Sequence, residues 1–191
     1  MLSTEALRSH IPKTLYSSIC SLFTDSQHHN TTHRKNIQAL KRLHFDSARN
    51  GTEEHFFCAF LHCLHVLLSL KKGEDAAPRL LRFAVGFIVV LSAEKQPSPI
   101  DEGVSRFIEN LMLYLLEHVD SKDKLVRTRI CQLMVACVNG VDELSDGVWN
   151  LFRSKMIERL FDKEAAVRVQ AVHATARLQV MPNSDFIGTS N

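Results

Sequence analysis

Two stretches of this chain are versions of one another, 41 residues apart, and this repetition limits the fold more than any other feature. Val126-Arg127 falls on Val167-Arg168, and Lys122 and Asp123 fall on Lys163 and Glu164. Behind each Val-Arg pair, Ile130, Leu133 and Cys137 fall on Ala171, Ala174 and Leu178 at helical spacing. The helical segments ahead keep the same register. Phe107, Ile108, Leu111, Leu115, Leu116 and Val119 match Val148, Trp149, Phe152, Met156, Ile157 and Leu160 without an insertion. The repeating unit is therefore a pair of helices.

A period near 41 with two helices per unit lies within the 40–47 residues of HEAT and armadillo repeats. The reading is all-α: an α-solenoid of HEAT repeats, a right-handed superhelix of antiparallel helix pairs. Helical periodicity predicts segments 3–24, 32–48, 53–71, 77–94, 103–119, 124–139, 147–161 and 164–180, and no run alternates with period two for long enough to propose a sheet. Breaks fall at SQHHNTT, Asn50-Gly51, KKGEDAAP, EKQPSPIDEG, DSKDK, NGVDELSDG and DKE. This divides the chain into N-terminal basic helices over 1–50, HEAT-like repeats over 51–181 (about 53–94, 103–139 and 147–180) and a disordered tail over 182–191.

The second helix of such a unit packs on its partner and on both neighbouring units, so it needs apolar residues around most of its circumference and small ones where helices meet closely. Ala165, Ala166, Ala171, Ala174 and Ala176 answer that need. The repeat-structural residues are Val126, Arg127, Asp162, Val167 and Arg168. The acidic residue ahead of each Val-Arg pair suits a helix start, and the arginine is placed to pair with the acidic residue of the adjoining repeat.

The hydrophobic fraction of 45% is enough for a sizeable core. Charge is uneven: residues 1–50 hold seven Lys/Arg against three Asp/Glu, whereas the rest hold 16 against 18. Five cysteines, an odd number, lie in apolar helical segments with no signal-peptide core ahead of them, which reads as reduced thiols inside a cell. The longest apolar run, FAVGFIVVL at 83–91, is far short of the roughly 20 residues that span a bilayer, so no membrane association is expected.

Chemistry-bearing constellations are sparse. His55, Cys58, His62 and His65 share one helix face, but one straight helix cannot wrap a tetrahedral zinc ion and no CxxC completes the set. No metal site and no cofactor are expected. There is no GxGxxG, no GxxxxGK[ST] and no GxSxG, so no catalytic residues are assigned and the chain is read as a non-enzyme. Arg34, Lys35, Lys41 and Arg42 form a basic cluster, Arg34/Lys41 and Lys35/Arg42 each seven apart, beside an apolar side of Ile37, Leu40 and Leu43 or His44. Lys71-Lys72 ends another helix, and Lys122, Lys124 and Arg129 edge the next repeat. Together these nine residues are the candidate DNA-binding set, neutralising phosphates without reading bases. A solvated face is the plainer reading. Ser98-Pro99, in the linker EKQPSPIDEG, fits the minimal target of proline-directed kinases, against the plainer role of a stiff connector.

DKEAAVRVQAVHATARLQ at 162–179, preceded by KDKLVRTRICQLM at 122–134, resembles the N-terminal HEAT repeats of the condensin complex subunit 3 family, the G-type non-SMC subunits. RLLRFAVGFIVVL at 79–91 and HRKNIQALKRL at 33–43 resemble that family's preceding and early basic helices, so the resemblance covers roughly residues 30–180. His173 and Thr175 stand where the family usually has apolar or small residues. The chain stops soon after Gln179, where the family continues, so it reads as a fragment or shortened product. The resemblance implies a non-catalytic subunit that binds the kleisin subunit, and through it the SMC ATPases, and holds double-stranded DNA without regard to sequence during mitotic chromosome condensation. It implies residence in the nucleus and on chromosomes, and in the cytoplasm outside mitosis. The alternative is a generic HEAT adaptor that binds peptide segments of partner proteins.

Overall fold

The computed structural model describes residues 11–93, 99–140 and 144–180. It holds α1 (Lys13–His28), α2 (His33–Arg49), α3 (Glu53–Ser69), α4 (Ala76–Ser92), α5 (Pro99–His118), α6 (Lys124–Gly140), α7 (Asp146–Arg159) and α8 (Ala165–Val180), with a single 3-10 turn, Asn30–Thr32, ahead of α2. There is no strand among the described residues. Two helices differ from the sequence expectation by more than two residues, and each has a proline at its start. Helix α1 begins after Pro12 and runs on to His28, because Ser26 is buried under Asn36 Nδ2, which donates to its hydroxyl at 3.0 Å. Helix α5 begins at Pro99 itself, the first-turn position where the missing N–H costs nothing and φ is already set. Residues 3–10 of the first expected segment, Ser98 and the tail 182–191 lie outside the described residues.

Consecutive helices reverse over short turns, and Gly51 (φ 65°) and Gly73 (φ 92°) supply the left-handed backbone after α2 and after α3. The helices sort into two layers. Helices α2, α4, α6 and α8 pack in succession as one layer; in the other, α1 lies on α3 and α5 lies on α7. Each odd-numbered helix also packs on the even one that follows it. Within the odd-numbered layer, α3 and α5 stand apart, and a groove runs between them.

One hydrophobic core runs through both layers from Ile11 to Ala174. Its first half is aromatic. Phe56, Phe60, Phe87 and Phe107 pack ring against ring with centroids 5.4 to 6.4 Å apart, and Phe23 meets Phe83 edge-on at 5.1 Å. Its second half is mainly aliphatic, with Ile130, Leu133, Met134, Met156, Val167 and Ala171 buried alongside Phe152. The 41-residue register is visible in burial: Leu111 and Phe152, Leu115 and Met156, and Ile130 and Ala171 are all fully buried pairs. Where the register fails, one element is missing. Leu116 is 5% exposed but Ile157 is 47%, and Cys131 is 0% but Val172 is 54%, because α7 and α8 cover the first of each pair and no described element covers the second.

The arginines obey the same register atom by atom. Arg127 Nη1 donates to the carbonyls of Ser121 and Lys122 at 2.9 and 3.1 Å, closing the turn before its own helix. Arg168 Nη1 does the same to Asp162 and Lys163, at 2.8 and 3.2 Å. The remaining donors of Arg127 cross to the next repeat: Nε and Nη2 grip the two carboxylate oxygens of Asp162 at 2.8 and 2.9 Å, and both side chains are buried. Asp162 also accepts from the backbone N–H of Glu164 at 2.9 Å and from Arg159 at 3.2 Å. The hydrogen bond from Arg127 holds the Asp162 carboxyl below its ordinary 3.8, outweighing the opposing effect of burial. One side-chain pair thus joins two turns and two repeats.

Candidate functional site

The nine basic residues singled out in the sequence meet different fates. Arg34, Lys35 and Arg42 are exposed on α2 and form no ion pair with a described residue. Lys41 does not join them: it is buried, its Nζ 5.5 Å from the centre of the Phe45 ring. It follows Ile37 by one turn on the flank of the apolar face, so its alkyl stem is drawn into the packing. Arg129 is a second correction. Its guanidinium is buried at the C-terminal end of α3, where Nη1 donates to the carbonyls of Leu67, Leu68 and Leu70 at 3.1, 2.9 and 2.6 Å. Those carbonyls have no further helical turn to bond, and a cation is the natural cap for them. Desolvation lowers the pKa of Arg129 from its ordinary value. Arg129 is a structural cap, unavailable to phosphate. Lys124 is exposed but engaged, 3.2 Å from Glu164 of the next repeat.

Because Arg129 ties α6 to the end of α3, the turn carrying Lys71 and Lys72 lies beside the turn carrying Lys122. Ser69 and Lys122 line one shallow depression. Chain reversal at Gly51 brings the start of α2, with Arg34 and Lys35, to the same end of its helix pair. Arg34, Lys35, Lys71, Lys72 and Lys122 therefore gather toward one edge, with Arg42 two turns farther along α2.

The second feature is the groove between α3 and α5, about 680 Å³ in volume. Its floor is apolar: Phe57, Leu61, Phe107, Leu113 and Tyr114, with buried His44 of α2 beneath. Three members of the histidine-cysteine stripe, Cys58, His62 and His65, line its α3 wall. Among the described residues no group of three or more His, Cys, Asp or Glu side chains is arranged to hold a metal ion. No helix among them is long and apolar enough to cross a membrane. Sequence reasoning missed the groove, since it lies between helices some fifty residues apart. His44 carried a faint signal, one turn beyond Leu40 on the apolar side of α2.

Two layers of antiparallel helix pairs, in register at 41 residues and joined by a buried Arg-Asp pair, define a HEAT-repeat α-solenoid. No family model matches the chain. Among curated relatives, it is 35% identical over 162 residues to condensin complex subunit 3 of Schizosaccharomyces pombe, covering 85% of this chain and 17% of that one. It is 30% identical over 174 residues to the Saccharomyces cerevisiae subunit 3 (86% and 17%) and 29% identical over 123 residues to the human one (63% and 12%). A solved structure, the S. pombe condensin Cnd3-Cnd2 subcomplex, superposes with a TM-score of 0.66 at 31% identity over 85% of this chain and 20% of that chain. The chain belongs to the condensin complex subunit 3 family and spans about one sixth of the length of the first two of these curated relatives.

Proposed function

We propose that this chain acts as a non-catalytic HEAT-repeat part of a condensin complex, binding a kleisin partner and double-stranded DNA in mitotic chromosome condensation. The likeness to a condensin subunit solved together with a second subunit carries the partner half of this reading. ATP hydrolysis then belongs to SMC subunits reached through the kleisin, and the working location is the chromosome. Ser98 remains a proposed phosphorylation site within that setting.

The DNA half rests on the exposed cations that no described carboxylate neutralises: Arg34, Lys35 and Arg42, with Lys71, Lys72 and Lys122. Such a set binds phosphates and is indifferent to base sequence. Each phosphate contact contributes about −0.9 to the slope of log affinity against log salt. Replacing Arg34, Lys35 and Arg42 together by Ala should flatten that slope by up to about three, equally for two unrelated duplexes of the same length, with the partner subunit present. Replacing Lys41 alone should leave the slope unchanged, because its stem is packed. A folded triple variant with unaltered affinity and slope would remove α2 from the DNA-binding surface.

A further inference from the structure

We propose that the groove between α3 and α5 is a docking site for an extended segment of a partner protein carrying two basic residues on either side of an apolar anchor. The argument begins with charge. Glu54 on α3 and Glu117 on α5 are exposed on the groove walls and form no ion pair with a described residue. Arg106, the one Lys or Arg lining the groove among the described residues, is already held 3.4 Å from Glu53. The walls therefore favour a cationic occupant and oppose nucleic-acid phosphate, and the basic edge begins only at Lys122, in the depression beyond the far end of the groove.

Dimensions narrow the occupant further. The Arg106–Glu53 contact sets α5 level with α3 at one end of the groove, near Glu54. Glu117 lies eleven residues beyond Arg106 along α5, which is roughly 16 Å at the helical rise per residue. An extended chain covers that distance in about five residues. Two basic side chains four to six residues apart would thus meet both carboxylates, with a large apolar residue between them resting on Phe57, Leu61 and Leu113. The depression lined by Leu68, Ser69 and Val126 shares His65, Tyr114, Glu117 and His118 with the groove, so the channel continues past its far end. An elongated open channel suits a chain better than a compact small molecule.

The test uses the full chain and a fluorescein-labelled peptide, Gly-Arg-Ala-Leu-Ser-Phe-Arg-Gly, with a control in which both arginines are glutamate. Fluorescence anisotropy should show the basic peptide binding about tenfold or more tightly than the control. Glu54→Lys combined with Glu117→Lys should reverse that preference; both positions are exposed, so helicity should be unchanged. Amide exchange on the unaltered chain should show peptide-dependent protection confined to Phe57–His65 and Asn110–His118. Equal affinity for both peptides, a preference indifferent to the double substitution, or protection elsewhere would overturn the proposal. So would displacement of the peptide by excess duplex DNA, which would move it to the basic edge. A concentration-dependent dimer that protects the same residues without peptide would instead assign the groove to a second copy of the chain.

Discussion

Asp162→Ala should unfold much of this protein's second half, lowering overall stability by about 3–5 kcal/mol in urea denaturation. The basis is the asymmetry of buried ion pairs. Arg127 and Asp162 attract each other strongly, but both were taken out of water to meet, so the intact pair contributes little net stability. Removing only the carboxylate leaves the Arg127 guanidinium buried with Nε and Nη2 unanswered, and takes acceptors from Glu164 N–H and Arg159 as well. A loss of this size is a large part of the roughly 5–15 kcal/mol that holds an ordinary domain folded, and corresponds to about 6–20 °C in Tm for a chain of this length. Arg127→Met combined with Asp162→Leu removes both charges, so it should lose much less than Asp162→Ala alone. Equal losses in the single and double variants would mean that packing, and not the orphaned charge, sets the cost. Asp162 has its own pH signature. Its native pKa is depressed, so its contribution is fully present above the ordinary 3.8 and is lost as pH falls through the lower native value.

That pair was legible in the sequence because it repeats: Val-Arg at two places and an acidic residue ahead of each helix specify a contact between units once the period is known. Helix positions were legible for the same reason, since turn residues and apolar spacing place the boundaries from Glu53 to Arg159 within two residues, except the start of α5, which reaches back to Pro99 inside the expected break. The basic surface was only partly readable. Periodicity places Lys41 in line with Arg34, but it cannot tell that mid-helix position 41 lies under a neighbour while position 34, in the first turn, remains in water. Arg129 follows Arg127 by two residues and looks like another surface cation. Only the arrival of the α3 carboxyl end from some sixty residues away turns it into a buried cap. The α3–α5 groove is a gap between non-consecutive helices, a property of packing that no local pattern encodes.

His44 should make the protein acid-labile well above the range in which carboxylates titrate. Its ring lies edge-on to Phe56 and Phe107, each 5.2 Å away, and its Nδ1 has no hydrogen-bond partner. Burial in these surroundings disfavours the imidazolium and lowers its pKa from 6.5 to about 4. The sign follows from which state holds the proton. Between about pH 6.5 and 4 the unfolded chain is protonated at His44 and the native state is not, so stability falls as the solution is acidified through that window. One proton across some 2.5 pH units amounts to at most about 3.4 kcal/mol. His44→Leu, close in volume and unable to ionise, should cost less than about 1.5 kcal/mol at pH 7 and abolish this component on acidification. The comparison is internal, because every other histidine titrates alike in both proteins and cancels from the difference. Urea midpoints measured from pH 7 to 4.5 should therefore converge between the two proteins and then cross if the neutral-pH cost is small. Parallel curves across the whole range would show that His44 accepts a proton in the native state as readily as in the unfolded chain, and would place its ring in contact with water through the groove.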